Sequence, residues 1–340
     1  MITSIKFRNF KVLRDATLPL GLFTLIVGPN GSGKSTAMQG LTFVRRGGKY
    51  DFDRIQSAGL DATEPVRVTI TWAQGGEELS VGAELAHSHD RQVTSPTRTP
   101  RIQAVNNELL DDSLDHALSR FRIYSFDAEK IATAAQINIA PELRADGFGL
   151  SSVLDDLSSQ EPDRFDALTK ELHRWLPEFD RILFETPTNG MKVFQLRTAV
   201  GHHKYSASDL SQGTLFAVAL LTLAYLKDPP AIVCFEEPDR GIHPRLLSEI
   251  RDGMYRLAYP ESFGESREAV QVIATTHSPY LLNLYKDHPE EIVIAHKDDQ
   301  GGHFDRLSDK SYITEILEAG DAPLGEIWFS GILGGVPSSP

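Results

Sequence analysis

Gly28-Pro29-Asn30-Gly31-Ser32-Gly33-Lys34-Ser35 decides how the rest of the chain is read. It fits the pattern G-x-x-x-x-G-K-[ST], and its surroundings fit as well. Residues 23–27 form a short apolar run that reads as a buried strand, and a helix is expected from Lys34 to about Val44, ended by Gly47-Gly48. Glycines in such a loop let backbone N–H groups approach phosphate oxygens, and the helix N-terminus adds a favourable dipole. Lys34 would set a cation on the β- and γ-phosphates of ATP, and the Ser35 hydroxyl would face Mg²⁺. Asn30, Gly31, Ser32, Gly33 and Thr36 complete the predicted cradle.

Three further segments gain meaning beside that loop. Ile232-Val233-Cys234-Phe235-Glu236-Glu237 is an apolar strand that ends in two carboxylates. Alone it would read as a solvated acid pair. Beside a phosphate loop, the first acid is expected to hold Mg²⁺ and the second to act as general base toward water. Adjacent strand residues point to opposite sides, so the two acids can differ in role if the backbone turns after Phe235, as Pro238 suggests. Leu210-Ser211-Gln212-Gly213-Thr214 opens a strongly apolar helix over 210–226. Ser211 with Gly213 makes an anion-binding helix start, which does not exclude a simple N-cap. Thr275-Thr276-His277-Ser278-Pro279 puts a histidine just past a strand. A lone histidine there would be structural, but among these motifs it is expected to contact the γ-phosphate.

Around these motifs the chain alternates strands and helices. Strands are expected at 2–7, 66–72 and 78–83 around Gly75-Gly76, 121–126, 181–185 and 192–196 around Asn189-Gly190, 270–275 and 292–295. Helices are expected over 150–176 and 245–257, and 88–100 reads as a mobile loop rich in Ser, Thr and Pro. The alternation argues for an α/β fold with a mostly parallel sheet. The β-rich and helical middle section reads as an insertion into that core. Residues 1–50 and 205–335 form the expected nucleotide-binding core, 50–125 a β-rich subdomain, and 126–205 a helical and hairpin insertion.

Composition excludes several classes. A net charge of −13 argues against a broad nucleic-acid surface and leaves only local basic groups, Arg45, Arg46 and Lys49 and the stretch Arg91 to Arg101. One cysteine, Cys234, allows no internal disulfide and no cysteine-rich metal site. It sits in an apolar run and reads as a buried thiol. The longest apolar segment, 215–226, is too short to span a bilayer, and residues 1–10 lack a signal-peptide core, so a cytoplasmic protein is expected.

Taken together, the order of these motifs resembles the ABC ATPase superfamily, in the branch of the RecF, SMC and OLD-type ATPases rather than the transporters. Ile5-Lys6-Phe7-Arg8-Asn9-Phe10-Lys11 is similar to the N-terminal strand of that branch. Glu236-Glu237-Pro238 with Ile242-His243-Pro244 is similar to its acid-pair segment, and Thr276-His277-Ser278-Pro279 to its switch. Leu324-Gly325-Glu326-Ile327-Trp328 through Gly334-Gly335 resembles the close of stand-alone AAA-family ATPases without a nuclease domain. The likeness covers both ends and 205–335, and covers 50–120 poorly. It implies an ABC ATPase head, a P-loop core with an antiparallel β subdomain and a helical insertion. It implies a head-to-tail ATP sandwich, in which Ser211 and Gly213 of one protomer meet the γ-phosphate held by Lys34 of another. It further implies hydrolysis with Glu237 as base, Glu236 and Ser35 at the metal, and His277 as γ-phosphate sensor.

Three departures stand out. Glu236 replaces the transporters' aspartate, His243 stands where many relatives carry an aspartate, and no clear glutamine follows the 121–126 strand, where Asp127 or Gln136 could substitute. No heptad run provides long arms, and the chain is expected to end without room for a nuclease domain. The resulting expectation is a homodimer or higher oligomer that switches or drives a separate effector, such as a nuclease, in DNA maintenance or phage defence. Two alternatives are a weakly catalytic ATP-gated clamp and a transporter ATPase. The His-Pro segment after the acid pair disfavours the transporter.

Overall fold

The computed structural model describes residues 1–46, 51–59, 64–85, 96–98, 108–137, 141–310 and 323–333. The chain forms two compact units, Met1–Phe121 with Gln271–Pro340, and Arg122–Val270. Among the described residues, no helix is long and apolar enough to cross a membrane.

In the first unit, Phe23–Val27 is buried at every position, as a continuous apolar run in a parallel sheet should be. It lies between Gln271–Thr276 and Ile292–Asp298, parallel to both. Gly301–Arg306 adds an antiparallel edge to the second of these. A separate five-stranded antiparallel sheet runs in the order Leu13–Pro19, Ile2–Phe10, Val66–Gln74, Glu77–Leu85, Pro96–Arg98. Gly75 and Gly76 turn its hairpin with φ of 62° and 87°, values that only glycine adopts without strain. One buried side chain ties the two sheets together. The Gln271 amide donates to the carbonyls of Ile2 at 2.6 Å and Gly21 at 2.8 Å, and its oxygen accepts from the Ile2 amide at 2.9 Å.

The second unit centres on Gln212–Tyr225, a helix apolar all round and buried at thirteen positions, as a central helix must be. The fully buried Thr222 hydroxyl donates to the Val218 carbonyl at 2.7 Å. A hairpin of Phe179–Glu185 and Met191–Thr198 carries the short strands Lys204–Ser206 and Ala135–Gln136 along the free edge of its second strand. Between those two short strands the Phe194 amide donates instead to the buried Ser151 hydroxyl at 3.1 Å.

Several expectations need correction. The helix read over 150–176 is two helices, Leu150–Gln160 and Pro162–Trp175, because Pro162 cannot continue the first and instead starts the second. The helix read from 245 begins with a 3₁₀ turn, Pro244–Leu246, before Leu247–Ala258. The loop read over 88–100 contains a short paired strand, Pro96–Arg98, opposite Leu85 to Ala83. Its remaining residues, like Gly47-Gly48, Lys49, Arg91, Arg101 and Gly334-Gly335, lie outside the described residues. The strands Leu13–Pro19 and Gly301–Arg306 and the helix Glu108–Ser119 lie outside the elements the sequence predicts.

Candidate functional site

The phosphate-loop sequence leaves the sheet at the carboxyl end of Phe23–Val27, where ligands gather in open α/β sheets. Gly28 must be glycine because a Cβ there would lie 2.2 Å from the Ala295 carbonyl oxygen of the neighbouring strand. Gly31 and Gly33 turn the loop with φ of 77° and 104°, and Gly33 then heads the helix Lys34–Arg45 without offering it a side-chain cap. The first N–H groups of that helix therefore face the loop. Asn30, Gly31 and Ser35 are exposed, Thr36 is half-buried, and Ser32, Gly33 and Lys34 are buried. The Lys34 ammonium donates to the carbonyls of Gly28 at 2.8 Å and Pro29 at 2.9 Å, so the cation is held over the loop.

This cradle fits a polyphosphate. Ser32 is fully buried, and its hydroxyl oxygen has no hydrogen-bond partner, an arrangement that ordinarily costs stability unless a ligand completes it. An uncapped helix start, a fixed ammonium and the exposed Ser35 hydroxyl supply the other donors and one oxygen ligand for a divalent cation.

His277 lies at the same edge. The parallel register places Thr276 opposite Val27, so His277 and Gly28 are the next residues out of two neighbouring strands. The chain there is firmly tied. The buried Thr276 hydroxyl accepts the Ser278 amide at 2.9 Å, and the Ser278 hydroxyl caps the helix Pro279–Asn283 through the Leu281 amide at 3.2 Å. The helix Leu324–Phe329 packs on that segment, since a Cβ on Gly325 would lie 2.4 Å from the Pro279 carbonyl oxygen.

The remaining motifs belong to the second unit. Glu236 ends the strand Ile232–Glu236, and Glu237 follows with φ of 49°, a left-handed conformation rarely adopted by a non-glycine residue. The backbone thus turns between the two carboxylates, the condition under which two different roles are expected of them. Both side chains are half-buried. Ser211 is the N-cap of the long buried helix, its hydroxyl accepting the Thr214 amide at 3.1 Å, and it remains exposed. A Cβ on Gly213 would lie 2.7 Å from the Gly241 carbonyl oxygen, so the helix start rests directly on the loop that follows the acid pair.

Other residues singled out by the sequence have local tasks. Cys234 is fully buried, and burial pushes its thiol far above the ordinary range, with the Glu236 charge adding to the effect. The Asp127 carboxylate accepts the Lys130 amide at 3.0 Å as the cap of Ala128–Ala132. Gln136 lies on a short strand opposite Met191. His243 Nδ1 accepts the Arg245 amide at 3.2 Å. Arg45 donates to the Phe121 carbonyl at 3.3 Å.

Two segments beside the phosphate loop are not legible in the sequence. Val12 and Leu13 back Gly33, whose Cβ would meet the Leu13 side chain at 2.6 Å. Gly302 donates to the Val12 carbonyl at 2.9 Å, and a Cβ on it would lie 2.7 Å from the Ser32 carbonyl oxygen. The signal for the second is Asp298-Asp299-Gln300-Gly301-Gly302, a turn signature without a stated partner.

Comparison with known proteins gives a family and a fold. The family model described as "AAA domain, putative AbiEii toxin, Type IV TA system" matches residues 23–283. A stretch of 44 residues is 46% identical to the OLD nuclease of Thermus scotoductus, which amounts to 13% of this chain and 8% of that protein. The Smc head domain with a coiled coil and joint from Pyrococcus yayanosii matches with a TM-score of 0.52 at 12% identity, over 94% of this chain and 99% of that one. That likeness speaks for the fold alone. The SMC head domain from Thermotoga maritima gives a TM-score of 0.49 at 18% identity, over 90% of this chain and 98% of that one.

Proposed function

We propose, from the premise that this chain belongs to the matched AAA-domain family and is an ABC-type P-loop ATPase of the RecF-, SMC- and OLD-like branch, that it hydrolyses MgATP in a nucleotide-bridged dimer. The observation that carries the reading is the pairing of Val27 with Thr276, which sends the phosphate loop and His277 out of the same sheet edge. Lys34 and the amides at the helix start bind the phosphates. Ser35 and Glu236 would hold Mg²⁺, which when bound would neutralise charge on the phosphate oxygens. Glu237 takes the proton of the attacking water, and His277 senses the γ-phosphate. Ser211 and Gly213 present their helix start to the nucleotide of the other protomer, so ATP supplies part of the interface.

The partner of this ATPase is proposed to be a separate effector such as a nuclease, acting in DNA maintenance or phage defence. This rests on family likeness, and co-purification from the native host tests it. The central experiment is single-turnover hydrolysis with light scattering on the wild type and Glu237→Gln. The wild type should hydrolyse ATP, while Glu237→Gln should bind it, stay associated and turn over roughly 10²–10⁴-fold more slowly. Equal rates would overturn the base assignment, and an ATP-independent mass would overturn the bridged dimer. A second reading, an ATP-gated clamp with little turnover, is favoured by the engagement of the Asp127 carboxylate as a helix cap. Steady-state turnover of the wild type separates the two.

A further inference from the structure

Arg240 lies three residues past Glu237, in the loop that leads to Pro244. An exposed arginine on a loop would ordinarily extend into water. This one folds back. One guanidinium N–H donates to the Phe126 carbonyl at 2.6 Å, and the guanidinium carbon lies 5.8 Å from the centroid of the Phe216 ring. The backbone amide of the same residue donates to the Glu237 carbonyl at 3.0 Å and closes the turn in which Glu237 adopts its left-handed conformation.

Each of these three attachments leads to a different motif. Phe126 immediately precedes Asp127, the cap of Ala128–Ala132. Phe216 stands one turn into the helix capped by Ser211. Behind them is a cluster of aromatic rings. Phe126 lies 5.8 Å from Phe216 and 6.4 Å from Phe235, the residue just before the acid pair, and Tyr124 lies 5.9 Å from Phe235. The close approach of Gly213 to Gly241 leaves no slack between the helix start and the loop. A charged hydrogen bond combined with stacking on an aromatic face suits a planar guanidinium, and a lysine reproduces only part of it.

We propose that Arg240 is a positioning residue for the reaction: it ties the Glu237 turn to the start of the Ser211-capped helix, so that contacts made at Ser211 and Gly213 set the placement of the base. This rests on the reading of Glu237 as the base. Arg240 touches no phosphate in this account and acts only through the backbone of the turn. A strained turn held from outside is the arrangement in which a lost tie moves a catalytic side chain without unfolding the unit.

The test compares Arg240→Ala, Arg240→Lys and Glu237→Gln in single-turnover hydrolysis at saturating MgATP, alongside nucleotide affinity and melting temperature. Arg240→Ala should hydrolyse about 10- to 100-fold more slowly, the scale of a misplacement of about 1 Å, with affinity and melting temperature near wild type. Arg240→Lys keeps one donor for Phe126 and should fall between the two. Wild-type hydrolysis in Arg240→Ala, while Glu237→Gln is inactive, overturns the positioning role and leaves the base reading standing. A matching fall in rate, affinity and melting temperature also overturns it, because that is the signature of a merely structural contact. Wild-type hydrolysis in Glu237→Gln overturns both.

Discussion

Glu237 occupies a conformation that a side chain resists, and this can be separated from its chemistry. Its φ of 49° lies in the left-handed region, where a Cβ costs roughly 1–2 kcal/mol relative to glycine. Replacing alanine by glycine at such a site removes that cost but adds unfolded-state entropy of about 0.4–1 kcal/mol. At the middle of both ranges, the two terms leave Glu237→Gly more stable than Glu237→Ala by about 0.8 kcal/mol. For a unit the size of Arg122–Val270, that corresponds to a melting temperature higher by about 1–4 °C. Elsewhere on a surface loop the order would reverse, since glycine normally loses to alanine. The assay is thermal unfolding of both variants without nucleotide, followed by ATP turnover. Both should lack the base and hydrolyse roughly 10²–10⁴-fold more slowly than the wild type. A more stable, inactive glycine variant would mean that the carboxylate is kept in a strained turn for its chemistry. If Glu237→Ala melts at or above Glu237→Gly, the left-handed turn is refuted, and the separation of roles between Glu236 and Glu237 loses its backbone basis.

Lys34→Ala removes a cation that makes charge-assisted bonds worth about 1.5–3 kcal/mol, so ATP affinity should fall roughly 10- to 100-fold by titration calorimetry. Ser211→Arg fills the exposed helix start and should abolish ATP-dependent association in light scattering while leaving binding by the single protomer intact. Gly302→Ala would drive a Cβ to 2.7 Å from the Ser32 carbonyl oxygen. An overpacking strain of about 1–3 kcal/mol should then weaken nucleotide binding without touching the ligand, as read by the same titration. Cys234 is a pH probe. Its buried thiol stays protonated in the folded state, whereas the unfolded thiol ionises near pH ~8.5. The folded state then holds the proton more tightly, so stability should fall as pH rises above that value. Cys234→Ala should flatten the decline, and native protein should resist thiol alkylation until it unfolds.

The parts whose physics is local are legible from the amino acids alone. A strand, a glycine-rich turn and a helix start within thirteen residues were enough for the phosphate loop. A buried apolar run ending in two acids located the turn at Glu236 and Glu237, and a serine ahead of an apolar helix foretold the Ser211 cap. Pro162 was also legible as a helix start, although the expected helix ran through it. Tertiary structure alone decided the rest. No local pattern says that Gln271 will bond to the backbone of Ile2, that Gly302 will press on Ser32, or that Arg240 will reach back to Phe126. Leu13–Pro19 became a strand because Ile2–Phe10 offered it an antiparallel partner. The left-handed φ of Glu237 was not written in its residue type, which argues against it. It is imposed by the turn that Arg240 closes. Local motifs record backbone preferences and side-chain chemistry over a few residues, while these contacts join segments far apart in the chain, and only packing in three dimensions selects their partners.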